Sequence, residues 1–188
     1  MPLLDERGLA ALGLESVGRG VRVSDMARFY NPGAISLADG VRIDDFCILS
    51  AGAGGIRIGR HVHIACYSSL IGQGAMVFED FSGISSRVSV YSSSDDFGGE
   101  GMAHPTIPER YRKVQTGDVV FRRHSLVGAG SVVLPGVTLG EGASVGALSL
   151  VKDDLAEFGL YAGVPARRIG DRSRKLLDME RRFLADGG

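Results

Sequence analysis

The sequence predicts an all-β solenoid of stacked parallel strands, and three observations carry that prediction. From Phe121 to Ala156 the chain repeats every six residues. The first position is aliphatic or Phe (Phe121, Val127, Val133, Leu139, Val145, Val151), and the fifth is small or aliphatic (Ser125, Ser131, Val137, Ala143, Ser149, Leu155). Glycine is abundant, 28 of 188 residues, whereas tryptophan is absent and aromatics amount to 7%. That composition suits a narrow prism with tight corners better than a sandwich filled by large rings. Finally, every break in the six-residue spacing falls after a third hexad, where a three-sided coil closes. A bulky first position and a small fifth suit a short strand followed by a turn. Three of them close a triangular coil, and coils stack with about 4.8 Å between paired strands.

One domain of this length has room for a sizeable core. Residues 1–36 are expected to hold an N-terminal helix and a lead-in. Leu3, Leu4, Leu9, Ala10, Leu12 and Leu14 surround Asp5-Glu6-Arg7 before Gly18, an amphipathic pattern with a glycine stop. The pattern then loosens from Val21 towards Asn31-Pro32-Gly33, a turn signal. Residues 37–156 are expected to form about five coils, with first positions at Leu37, Ile43 and Leu49, then Ile58, Ile64 and Leu70, and onward. The steps from Leu49 to Ile58, Leu70 to Phe78 and Val90 to Phe121 are nine, eight and thirty-one residues. All three excursions therefore leave the prism at one corner, where a solenoid collects its site-forming loops. The long one, residues 92–119, holds Asp95, Asp96, His104-Pro105, Pro108 and the basic Arg110, Arg112 and Lys113. A loop this long inside a compact domain is usually functional; its glycines would let it move. Residues 157–188 form a tail and a helix over Asp171 to Ala185, and the two terminal helices would cap the open ends of the stack.

The formal net charge of −1 gives no field to recruit nucleic acid or an anionic membrane. No apolar run approaches about 18 residues, and no basic segment precedes an apolar one near the start. A cytoplasmic protein with no membrane insertion is the expectation. Cys47 and Cys66 lack a CxxC partner and read as reduced structural thiols.

The hexads, the segment Val127-Gly-Ala-Gly-Ser-Val-Val-Leu-Pro-Gly-Val-Thr-Leu-Gly and the tail Tyr161-Ala-Gly-Val-Pro-Ala-Arg-Arg-Ile169 resemble the hexapeptide-repeat acyltransferases. The nearest likeness is to the galactoside/maltose O-acetyltransferase branch and to sugar acetyltransferases of surface-polysaccharide pathways. The resemblance implies a left-handed parallel β-helix, a homotrimer with sites between neighbouring prisms, and transfer of an acetyl group from acetyl-CoA to a sugar or nucleotide-sugar acceptor. It implies His104, with Pro105, as general base. Ala129 and Ala147, one coil apart, would meet the pantetheine arm, and Lys152 and Arg167 would stand near the adenosine phosphates. The loop before His104 is longer than in the maltose enzymes, which leaves open the acceptor and the choice of oxygen or nitrogen as its nucleophile.

Residue chemistry agrees with that assignment of His104. An imidazole titrates near neutrality and can take a proton from a hydroxyl or an ammonium, while a backbone N–H beside the groove would serve the developing oxyanion. Asp95 and Asp96 would orient that imidazole or bind the acceptor, or else be solvated loop acids. Arg110, Arg112 and Lys113 read as solvated loop charges. His61, His63 and His124 raise the question of a γ-carbonic-anhydrase-like metal site, but their spacing does not converge on one ion, and no metal is expected. A non-catalytic scaffold is the other alternative, disfavoured by the His-Pro insertion. The glycines of Val127-Gly-Ala-Gly-Ser lie in repeat register without a following helix or GK[ST], so they are not a phosphate loop.

Overall fold

The computed structural model describes residues 2–187; Met1 and Gly188 lie outside the described residues. Its short strands form three faces of a prism, each a parallel sheet. The first face stacks Ser16–Val17, Ile35–Leu37, Ile56–Ile58, Met76–Phe78, Val119–Phe121 and Thr138–Leu139. The second runs from Arg22–Val23 to Gly159–Ala162, and the third from Arg28–Tyr30 to Leu150–Val151. First-position side chains form the core from the second coil onward, and Leu37, Ile64, Leu70 and Val127 are fully buried. The small fifth positions sit beside them, with Ser131 and Ala143 equally buried. Register survives the long insertion, since Phe78 pairs with Ile58 below and with Phe121 above. The two phenyl rings stack at 4.2 Å in the prism interior.

The prism has about seven turns, not five. Ser16 to Tyr30, expected as a lead-in, is the first coil. Val17, Val23 and Phe29 extend the six-residue spacing backwards, with Val21 and Ala27 in the fifth position. Asn31-Pro32-Gly33 is no boundary; the 3-10 turn Pro32–Ala34 is one more excursion at the corner the later ones use. At the far end Leu155, read from the sequence as a fifth position, takes the first position of the next coil, four residues after Val151 instead of six. It still bridges to Leu139, and Gly159–Ala162 continues the second face beyond Ser144–Val145.

At two of the three corners the fourth hexad position almost always lies in the left-handed region. Glycine is the usual residue there, but His61, Phe81 and His124 occupy it with φ of 56°, 60° and 59°. A left-handed residue with a side chain costs roughly 1–2 kcal/mol. Stacking offsets it, because equivalent positions of adjacent coils lie about 4.8 Å apart. His61 lies 5.1 Å from Phe81, and Phe81 lies 5.2 Å from His124, with rings nearly parallel. Phe46 and Tyr67 repeat the arrangement at the next corner, at 4.8 Å.

The helices are shorter than expected. Helix α1 spans Glu6–Ala11, its N-cap Asp5 accepting the Gly8 N–H at 2.8 Å. Leu4, Leu9, Leu12 and Leu14 pack on the core beside the first coil. Helix α2 spans Lys175–Ala185, because Arg167–Asp171 is a strand antiparallel to Gly159–Ala162. It lies along the flank rather than over an end. Phe183 meets His61 and Phe81 edge-on. Glu180, almost fully buried, receives the Arg123 guanidinium and the His124 Nε2, the latter at 2.7 Å.

Candidate active site

The long insertion is folded by its own hydrogen bonds. Ser93–Ser94 pairs antiparallel with Gln115–Thr116 at its neck. Beyond the neck the Asp96 carboxylate accepts the N–H groups of Gly98, Glu100 and Gly101 at 2.9, 2.7 and 2.9 Å. Those bonds, that of Gly98 foremost, hold its pKa below the ordinary carboxylate range. Lys113 pairs with Glu100, and Met102 bridges to Arg112. A segment whose glycines suggested mobility is thus tied at four points, and Asp96 is one of the ties.

Asp95 has a different part. Its Oδ2 accepts the backbone N–H of His104 at 3.1 Å, holding that residue in a left-handed conformation (φ 77°). The imidazole of His104 is exposed, with no side-chain hydrogen bond among the described residues. A cavity of about 600 Å³ lies against the insertion, lined by Gln73, Ser93, Asp95, Pro105, Glu109, Arg112 and neighbours. Pro105 lines this cavity, and His104 adjoins it through Pro105 and through Asp95, which accepts its N–H. Arg112, expected among the solvated charges, turns inward: its side chain is only 19% exposed, and its Nε is buried without a partner. The nearest carboxylate, that of Glu109, is 3.8 Å away and 95% exposed.

The second half of the site runs up another corner. Ala129 and Ala147 occupy the third position of their hexads, and Ser86 occupies it one coil below Ala129. The carbonyls in this line are used between coils: Gly130 N–H donates to Ser86 at 3.0 Å and Leu148 N–H to Ala129 at 2.9 Å. The N–H groups of Ser86, Ala129 and Ala147 have no acceptor among the described residues, leaving a row of outward donors. Coils pack tightly here: a Cβ on Gly128 would lie 2.6 Å from the nitrogen of Ala147. Sequence reasoning missed Ser86. Hexad register from Ile84 gives its place, but the insertion separates it from Ala129. A cavity of about 220 Å³ lies alongside, lined by His63, Ala65, Ser85, Ser86 and Leu126. Lys152 and Arg167 come together on Asp153, at 2.9 and 3.8 Å.

The remaining histidines are engaged locally. His63 Nε2 lies 2.8 Å from Asp44 Oδ2, and His61 and His124 belong to the stacked corner. Burial first, then the Arg123 and Arg172 guanidiniums, lower the pKa of His124, whose Nε2 lies against the Glu180 carboxylate. Among the described residues no three His, Cys, Asp or Glu side chains group as metal ligands would. No helix there is long and apolar enough to cross a membrane.

No family model matches the chain. It is 48% identical, over 97% of its length and 95% of the relative's, to the dTDP-4-amino-4,6-dideoxy-D-glucose acyltransferase of Escherichia coli. Its fold superposes on AntD, an N-acyltransferase from Bacillus cereus, solved with dTDP and 3-hydroxybutyryl-CoA. The TM-score is 0.94 at 44% identity, covering 98% of this chain and 97% of that one. A serine variant of AntD, solved with dTDP-4-amino-4,6-dideoxyglucose and CoA, gives a TM-score of 0.94 at 43% identity, with 98% and 97% covered. An aspartate ten positions after that serine has been varied in the same enzyme. With the stacked hexads, the row of outward backbone donors and these likenesses, the chain belongs to the CoA-dependent hexapeptide-repeat sugar acyltransferases.

Proposed function

We propose that this enzyme transfers an acyl group from a CoA thioester to the 4-amino group of a dTDP-linked 4-amino-4,6-dideoxyhexose, in the cytoplasm and as a homotrimer. The observation that carries the reading is likeness over nearly the whole chain to two enzymes whose names or complexes specify that acceptor. The cavity agrees with it, since Asp95 offers a carboxylate to an amine among hydroxyl-bearing side chains. The serine and aspartate varied in AntD are ten positions apart. Ser85 with Asp95 and Ser86 with Asp96 reproduce that interval, and both serines line the cavity beside the donor row.

CoA would lie along the row past Ala147 and Ala129, with its phosphates near Lys152 and Arg167. The thioester would then reach Ser86, whose N–H and hydroxyl are donors for the oxyanion. The insertion leaves the prism at a different corner from that row, so a second copy must bring its cavity to the thioester. Exposed Met26, Phe46, Tyr67 and Leu148 along the same corner supply apolar surface for that contact.

His104 is the proposed general base, and Asp95 is the second candidate because it lines the cavity itself. The test is turnover with dTDP-4-amino-4,6-dideoxyglucose and a short-chain acyl-CoA. No transfer to this acceptor would overturn the reading. A loss of about 10²–10⁴-fold in His104→Ala assigns the proton to the imidazole; near wild-type turnover passes the role to Asp95. Light scattering that gave an active monomer would remove the shared site.

A further inference from the structure

We infer that Arg112 is the anion anchor of the insertion cavity and fixes the acceptor by its diphosphate; this rests on the nucleotide-sugar reading above. A guanidinium held mostly out of solvent without a tight counter-charge is costly unless an anion completes it. Arg112 is only 19% exposed, lines a cavity of about 600 Å³, and its nearest carboxylate among the described residues is the 95% exposed Glu109, at 3.8 Å. A planar guanidinium suits two phosphate oxygens at once. Arg110 instead lies over the Tyr111 ring and Lys113 is paired with Glu100, so neither duplicates it.

The cavity also holds two carboxylates, and their positions decide its polarity. Glu109 is at the exposed rim, and Asp95 turns one oxygen to the His104 N–H. An anion is therefore excluded from the Asp95 side and favoured on the Arg112 side, with Gln73, Ser93 and Thr116 as neutral hydrogen-bonding groups in the same lining. The proposed acceptor carries an amine and a diphosphate, so a cavity with one acidic and one basic side would seat it in a single orientation. The size lies within the range of small-molecule sites.

Calorimetry on the full-length protein tests this with dTDP, thymidine, inorganic pyrophosphate and CoA as probes. Arg112→Met should weaken dTDP and pyrophosphate binding about 10- to 100-fold, the range of a charged hydrogen-bonded contact. Arg112→Lys should recover part of the loss, and affinity for thymidine and CoA should stay at the wild-type value. Equal dTDP affinity in wild type and Arg112→Met would overturn the anchor while leaving the function intact. Wild-type protein that ignores dTDP but binds pyrophosphate through Arg112 would keep the anchor and overturn the nucleotide acceptor. Loss of thymidine and CoA binding along with dTDP would mean a folding defect in Arg112→Met. In that case unchanged dTDP binding by Arg112→Lys overturns the proposal, and weakened dTDP binding alone supports it.

Discussion

The carboxylate of Asp95 holds His104 by its backbone, not by its imidazole: Oδ2 accepts the main-chain N–H at 3.1 Å. One residue thereby sets both an acidic wall of the cavity and the backbone position of the neighbouring histidine. Asp95→Ala removes both, and should lower kcat/KM for the acceptor by at least about 10- to 100-fold, the value of one charged hydrogen bond. His104→Ala leaves the wall intact. Steady-state kinetics on the two variants should place the Asp95 defect in acceptor KM as well as kcat, and the His104 defect in kcat alone. An unchanged acceptor KM in Asp95→Ala would remove the carboxylate from the acceptor.

Asp96 should behave differently from its neighbour. It is nearly buried and spends both oxygens on three N–H groups of the insertion. Asp96→Ala should open residues 97–101 to proteolysis and raise acceptor KM, while CoA affinity and the thermal midpoint remain those of the prism. Limited proteolysis with calorimetry reads both halves. A resistant insertion in this variant would mean that the neck pairing and the Lys113–Glu100 contact suffice.

The prism was largely legible because its signal is a sum over many hexads, each with one inward bulky and one inward small side chain. Legibility failed where a hexad was altered. The four-residue step from Val151 to Leu155 hid the last turn, and Asn31-Pro32-Gly33 looked like a stop although Val17, Val23 and Phe29 had begun the repeat. The candidate site was legible only where repeat register carries it. Ala129, Ala147, Lys152 and Arg167 sit in or beside repeat register, where a residue's number gives its place. Arg112 does not, because nothing in a run of basic residues says which one turns inward. That depends on the Met102–Arg112 bridge, a contact within the excursion.

Stability should be most sensitive where the chain re-enters the prism. Phe121 lies in the strand by which the chain re-enters, two residues after the buried Val119, and stacks on Phe78 at 4.2 Å in the interior. Phe121→Ala should cost about 3–5 kcal/mol, the cost of truncating a buried ring. Denaturant unfolding measures it. Phe97, which is 94% exposed on the insertion, should tolerate the same change without loss. Equal effects at the two positions would place the excursion in the cooperative core.

The two thiols should report on the CoA groove. Cys47 is in a fifth hexad position, fully buried, and burial pushes its pKa up to about 11. Since the thiolate is the reactive form, it should resist alkylation in the folded protein at neutral pH. Cys66 is in the third position, in line below Ser86, with its Sγ 3.3 Å from the Ser86 Oγ and only partly buried. Native protein should therefore take up one equivalent of iodoacetamide, at Cys66, and both thiols should react in denaturant. If the acyl end of CoA reaches Ser86, a saturating CoA thioester should slow labelling of Cys66, whereas the acceptor nucleotide alone should have less effect. Mass spectrometry of the labelled peptides separates the two cysteines. Labelling of Cys66 at the same rate with the groove filled would move the thioester away from Ser86, and with it the serine's proposed part in holding the oxyanion.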